Sequence, residues 1–270
     1  MRNLLTFDIE EWWQANYRSV GPSRDPERDD RLEANVIRLL HICKTHQTRA
    51  TFFILGRTAE RYPGVVRKIK AGGHEIASHG YRHALVHRLT PEAFAADLRR
   101  SLEVLAGLGG AKVRGFRAPS WSVDLRMGWF FEILGENGLE YDSSLFPVRT
   151  FLYGDRKACR FPHRLNGLVE FPASTWSFLG MRIPFSSGFF FRFFPLPLIR
   201  LAIAALNRKG KPALICLHPR EVDPACPRLV LPPRERFIQY FKVGTVERKL
   251  DRLLSRFEFC SISDYLGPGL

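Results

Sequence analysis

Two apolar rhythms alternate along this chain: short runs that read as strands, and longer stretches where apolar residues return every third or fourth position and read as helices. Leu4 to Asp8 is the first strand candidate. A helix follows from about Arg31 to His46, where Leu32, Val36, Leu39, Leu40 and Cys43 share a face. Ala50 to Leu55 is again extended, and Pro63 opens a helix that closes near Gly72. His74 to Ser78 supplies a third strand. Thr90-Pro91 reads as an N-cap with proline at the first helical position, opening a helix that carries Phe94, Leu98, Leu102 and Leu105 and stops at Gly107, Gly109 and Gly110. Lys112 to Arg117 is strand-like, and Met127, Phe130, Phe131 and Leu134 line a helix ending at Gly138. Leu139 to Ser143, Leu168 to Phe171 and Ala213 to Leu217 look extended. A helix over about Leu198 to Asn207, and a last one capped by Thr245 and carrying Val246, Leu250, Leu253, Leu254 and Phe257, lead to Phe259 to Ile262. Strands separated by helices predict an α/β architecture with a parallel sheet.

The chemistry-bearing residues decide between an open sheet and a barrel. Asp8, His79, Arg117, Asp142 and His218 each sit where an apolar run gives out. Residues at the carboxyl ends of many strands converge only if the sheet closes, whereas an open sheet gathers ligands at one switch point. No glycine-rich phosphate loop supports the open form.

Composition narrows the partners. At 270 residues, 45% hydrophobic and 25% charged, the chain buries a sizeable core. The net charge of +14 favours anionic neighbours, but no nucleic-acid motif accompanies it. Five widely spaced cysteines without a C-x-x-C pair suggest neither a disulfide framework nor a thiolate zinc site; a reducing compartment and cytoplasmic residence are expected. Between Phe171 and Arg220 there is no acidic residue, and Gly188 to Leu206 is dense in Phe, Leu, Ile and Pro. Arg192, Arg200, Pro195 and Pro197 argue against a spanning helix there. The segment is either a barrel-covering helix behind an aromatic loop or a patch that meets anionic lipid peripherally, at the inner membrane.

Two histidines four residues apart, His79 and His83, can face one divalent ion, and the run Asp8-Ile9-Glu10-Glu11 offers carboxylates after a strand. On a strand Asp8 and Glu10 point to one side. Both can therefore reach one site; which of Asp8 and Glu10 would bind an ion, or Glu11 if the strand has already ended, stays open at this point. Glycine follows His79, so the His-Glu-x-x-His pattern of helical metalloproteases is excluded. Cys216 shares a face with His218 and reads as packing.

Taken together these residues resemble the NodB-homology polysaccharide deacetylases, carbohydrate esterase family four, from Thr6 to about His218. Thr6-Phe7-Asp8-Ile9-Glu10 is similar to the family's Thr-Phe-Asp-Asp, and His79-Gly80-Tyr81-Arg82-His83 to its His-Ser/Thr-x-x-His. Arg114 to Trp121, Tyr141 to Ser144 and Leu217-His218-Pro219 resemble its remaining motifs. Asp8 to Gln14, Tyr141 to Pro147, Arg160 to Arg164 and His218 to Pro224 look like the narrower group associated with exosortase/PEP-CTERM exopolysaccharide loci. There residues from about 185 to 265, including a Phe237 to Leu254 helix, form a C-terminal extension packed on a single 1–270 deacetylase domain.

The resemblance implies a distorted (β/α) barrel of seven or eight parallel strands that hydrolyses the acetamide of N-acetylhexosamine units with a divalent metal, zinc first and cobalt, nickel or manganese next. It implies Glu10, His79 and His83 as ligands, Asp8 as general base and His218 as general acid. Arg117 is expected to hold Asp8 ionised, and Asp142 to keep His218 protonated. Trp121, with Pro119, Ser120 and Trp12, would form the sugar-binding wall, extended by Trp13 and Tyr17. A barrel amidohydrolase acting on a small cyclic amide, and an inactive glycan-binding protein, are the competing readings; each residue also has an ordinary structural role open to it, a core or surface position.

Overall fold

The computed structural model describes residues 1–14, 16, 31–109, 112–151 and 153–267. The expected Tyr17 and Gly110 lie outside them. The order is β1 (Asn3–Ile9), α1 (Arg31–Thr45), β2 (Thr51–Ile54), α2 (Gly56–Arg61), α3 (Pro63–Ala71), β3 (Glu75–Ser78), α4 (Pro91–Gly109), β4 (Gly115–Phe116), α5 (Gly128–Glu136) and β5 (Tyr141–Asp142). Then come β6 (His163–Leu165), β7 (Leu168–Glu170), β8 (Thr175–Phe178), β9 (Met181–Pro184), α6 (Gly188–Phe193), α7 (Leu196–Asn207), β10 (Leu214–Leu217), α8 (Pro233–Tyr240), α9 (Val246–Leu254), β11 (Phe259–Cys260) and α10 (Ile262–Leu266).

The main sheet runs β10-β1-β2-β3-β4-β5-β7-β6, with β11 also on β1. Every pairing is parallel except β6 with β7. The sheet curls as the distorted barrel expected, but no ladder joins β7 to β10. The seam is crossed by irregular chain instead: Leu214 donates its N–H to Ser174 Oγ, Ser186 Oγ donates to the Ser174 carbonyl, and Cys216 N–H to the Ser186 carbonyl. Residues 185–265 are part of the barrel as well as its cover, since β10 and β11 both pair with β1.

The period of two along the strands separates the layers. Leu4, Phe53, Ala77, Tyr141, Phe171, Leu214 and Cys216 fill the barrel, while Leu5, Phe7, Ile9, Phe52, Ile54 and Phe116 meet the helices. Gly115 is required here, because a Cβ would lie 1.9 Å from the Tyr141 ring that fills the barrel. Three expectations change. The proposed Phe237 to Leu254 helix is two, α8 and α9, interrupted at Phe241 to Thr245. Thr245 does not cap α9; its hydroxyl donates to the Lys242 carbonyl. The β8–β9 hairpin was not expected, because Thr175 to Pro184 lacks a buried alternating face: six of its ten residues are exposed. Among the described residues no helix is long and apolar enough to cross a membrane.

Candidate active site

At the carboxyl ends of the strands, the inward set continues past each apolar run. From β1 come Thr6, Asp8 and Glu10; after β3, His79; after β4, Arg117; after β10, His218. One ligand atom from each of Glu10, His79 and His83 lies within 4.8 Å of the others, and all three residues are buried. Donors bound to one ion through bonds of about 2 Å stand at most about 4 Å apart, so atoms this close share an ion after a small side-chain movement. His79 Nδ1 bonds the Arg117 carbonyl at 2.7 Å, leaving Nε2 for the site. Burial pushes the His79 imidazole down to about 4, which keeps it in the neutral form that binds metal. His83 Nε2 is buried 2.6 Å from Glu10 Oε2. That contact fits two donors drawn to a shared cation, and the nitrogen–carboxylate donor set suits zinc and its neighbours.

A second trio, Asp8, Cys216 and His218, is as compact. It suits a cation poorly. Arg117 Nη1 already donates to Asp8 Oδ1 at 2.6 Å, and burial pushes the Cys216 thiol up, so it stays protonated and donates to Asp8 Oδ2 at 3.3 Å. Glu11 is also excluded as the ligand: its carboxylate accepts from Trp13 Nε1, Tyr62 Oη and Arg61, on the opposite side of the strand.

Arg117 is wholly enclosed, donating to Asp8, Thr6 Oγ1 at 2.9 Å, the Ser143 carbonyl at 3.2 Å and Ser143 Oγ at 2.8 Å. Burial alone would raise the Asp8 carboxyl; Arg117, His79 and His218 outweigh it and hold it below the usual carboxylate range. His218 Nε2 lies 3.9 Å from Asp8 Oδ2 and 3.7 Å from Glu10 Oε1. Burial works against its charged form, but the Glu10 and Glu221 carboxylates prevail and raise it. Arg220, not anticipated as a site residue, donates to Glu10 Oε1 at 2.7 Å and fixes that carboxylate.

The expected pairing of Asp142 with His218 is not present. Tyr141 and Ser143 face the barrel, so Asp142 between them faces outward. There it accepts from the Ser144 hydroxyl and N–H at 2.6 and 3.1 Å, beside Glu170 across the β5–β7 ladder. Glu221 stands in its place at His218: its Oε2 accepts the His218 backbone N–H at 3.1 Å and faces Nδ1 at 3.4 Å. A carboxylate three residues after the histidine was the available signal.

A cavity of about 110 Å³ opens above these groups, walled by Ser120, Trp121, Tyr153, Gly188, Phe189 and the Glu10, His79 and His83 side chains. Trp121 packs on Phe146 and Tyr153, and its buried indole N–H has no hydrogen-bond partner among the described residues. His83, Ser120 and Trp121 all have positive φ, as does Gly80, where a side chain would crowd Asp97. Such strain is tolerated where a site needs it. Pro119 and Trp12 do not line the cavity. Pro119 starts the turn that presents Ser120 and Trp121, and the Trp12 carbonyl accepts from Gln239.

Residues 27–139 match the family model "Polysaccharide deacetylase", and residues 143–267 match a "Domain of unknown function (DUF3473)". A peptidoglycan-N-acetylglucosamine deacetylase of Bacillus cereus is 32% identical over 82 residues, 30% of this chain and 30% of that protein. A peptidoglycan deacetylase of Helicobacter pylori is 31% identical over 113 residues, 42% of this chain and 38% of that protein. The chain thus spans well under half the length of these curated relatives. A candidate polysaccharide deacetylase of Mycobacterium smegmatis superposes with a TM-score of 0.63 at 21% identity, covering 95% of this chain and 85% of that one, and shares the fold.

Proposed function

We propose, on the premise that residues 27–139 are those of a NodB-homology polysaccharide deacetylase, that this chain is a metal-dependent N-deacetylase acting on N-acetylhexosamine units of a bacterial exopolysaccharide or its lipid-linked precursor. The observation that carries the reading is the meeting of Glu10, His79 and His83 with the Asp8–Arg117 pair and His218 at one end of the barrel. Glu10, His79 and His83 would hold the ion, which when bound supplies Lewis acidity to a water and to the acetyl carbonyl oxygen. Asp8, kept ionised by Arg117, accepts the proton of the attacking water. His218 hands a proton from Nε2 to the departing amine. The Trp121 N–H offers a substrate oxygen a donor that has no competing partner among the described residues. The products are acetate and a free amine on the glycan.

The exopolysaccharide and its lipid-linked form are favoured by the resemblance to the exosortase/PEP-CTERM group and by the surface. The β8–β9 tip exposes Phe178, Leu179 and Met181, and α6 and α7 expose Phe193, Leu198 and Leu201, within a stretch devoid of acids. Such a face suits anionic lipid, peripherally at the cytoplasmic side of the inner membrane. The test is acetate release from N-acetylglucosamine oligomers and lipid-linked saccharides, with and without chelator. Asp8→Asn should keep its metal and lose release. Absence of chelator-sensitive release from every such substrate would refute the proposal.

A further inference from the structure

We infer that the segment matching the domain of unknown function is one half of the active site, and that its buried pair Arg192–Glu221 positions His218. The inference rests on the deacetylase reading for what His218 does, but not for how it is held.

His218 ends β10, and the turn Pro219–Val222 brings the Glu221 carboxylate back beneath it. Glu221 Oε2 meets both nitrogens on the inner side of His218, the backbone N–H and Nδ1. A carboxylate at Nδ1 fixes the tautomer and the ring plane, so that Nε2 is the nitrogen turned to Asp8 and Glu10. Glu221 Oε1 in turn accepts from Arg192 Nε at 3.0 Å. Arg192 is only 2% exposed, and its other nitrogens donate to the carbonyls of Ile238, Gln239 and Phe241 at 2.8, 3.2 and 2.6 Å. Those carbonyls close α8, where a helix presents unpaired acceptors and partial negative charge.

The clamp extends one step further. Lys249 of α9 donates to the carbonyls of Phe191, Arg192 and Phe194 at 3.0, 2.8 and 2.8 Å, pinning the end of the helix that bears Arg192. Gly188, with φ of 42°, takes a backbone conformation that residues with side chains rarely adopt, where α6 opens beside Glu221 and His218. A buried ion pair is a poor source of stability compared with apolar packing. Its placement against the proton donor gives it a use that stability does not. Residues 27–139 bring His79, His83 and Arg117; residues 143–267 bring His218, Glu221 and Arg192, so neither matched segment holds a complete site.

The test compares wild type, Glu221→Gln and Arg192→Lys in three measurements: kcat and KM for acetate release from N-acetylglucosamine oligomers, hydrolysis of 4-nitrophenyl acetate, and the ¹⁵N NMR tautomer of His218. Nitrophenolate leaves without a proton, so the ester reports the rest of the site. Glu221→Gln should lower amide kcat by about 10- to 100-fold, a part of what general-acid catalysis contributes. KM and the ester rate should stay within about twofold, and the Nδ1–H signal should move. Arg192→Lys should fall between the two, retaining charge without the fork. Unchanged amide turnover in Glu221→Gln, or amide and ester falling together, would overturn the inference. If Arg192→Lys does not fold, Glu221→Gln, which preserves shape, decides alone. Wild type without acetate release would refute the deacetylase reading instead; the NMR tautomer then decides, and an unaltered Nδ1–H in Glu221→Gln overturns the positioning.

Discussion

Replacing Arg117 by methionine removes the guanidinium bonded to Asp8 while keeping an apolar stem over the Phe53 ring, whose centroid lies 4.1 Å from the guanidinium. The substitution strands a buried carboxylate and also leaves Thr6, the Ser143 carbonyl and Ser143 Oγ short of a donor. Removing one partner of a buried ion pair costs about 3–5 kcal/mol. For 270 residues the unfolding entropy is about 570 cal/mol/K, so about 4 kcal/mol lowers Tm by about 7 °C. Asp8→Asn should cost less, about 1–3 kcal/mol, because an amide oxygen still accepts from Arg117. The informative quantity is the coupling. If Asp8 owes its charge to Arg117, the double variant should be about 2–3 kcal/mol more stable than the summed single losses, since the stranded charge is gone. Urea unfolding of the four chelated proteins measures this. Losses that add to within about 0.5 kcal/mol would show that the two residues act independently, and the assignment of Arg117 as Asp8's electrostatic partner would fall.

Asp142 and Glu170 give a pH dependence of opposite kind. Burial pushes Asp142 up to about 6 and Glu170 well above its usual value, the neighbouring Asp142 carboxyl raising Glu170 further. Because both folded values exceed the unfolded ones, stability is full below about pH 4 and falls as pH rises through about 6. Glu170→Gln should therefore raise Tm by a few degrees at pH 8 and leave it unchanged near pH 4 in calorimetry; equal effects at both would refute the raising of these carboxyls by burial. His79→Ala should weaken zinc binding by at least about 100-fold in a competitive chelator titration while the protein remains folded, and undiminished affinity would remove it from the ligand set. Leu179 is 81% exposed and has positive φ beside Gly180, a turn that asparagine fits better. Leu179→Asn should thus hold or raise Tm yet reduce sedimentation with phosphatidylglycerol vesicles about tenfold, since a buried leucine contributes about 1.5–3 kcal/mol. Unchanged vesicle binding would mean the hairpin tip does not meet lipid.

Local chemistry made the elements and half the site readable. The alternation through Thr6, Asp8 and Glu10 is set by the strand itself, so their common direction followed from the sequence, as did the exclusion of a helical His-Glu-x-x-His. The same rule, applied to β5, would have turned Asp142 away from His218, because Tyr141 and Ser143 take the inner face. The β8–β9 hairpin gave no comparable pattern, being mostly exposed and held by its turn at Leu179 and Gly180.

Arg192 shows where such reasoning stops. In a run of phenylalanines it reads as an interruption, a charge to be kept at a surface, yet it is among the most deeply enclosed side chains of the protein. Its partners are a carboxylate 29 residues on and the carbonyls that close α8 some 46 to 49 residues on. Spacing along a chain carries direction within one element, so the strand ends that bear Asp8, Glu10 and His79 were determined by sequence alone. Which charges are buried together is fixed only when the sheet curls and separate elements meet, since the cost of enclosing a guanidinium depends on every acceptor that surrounds it.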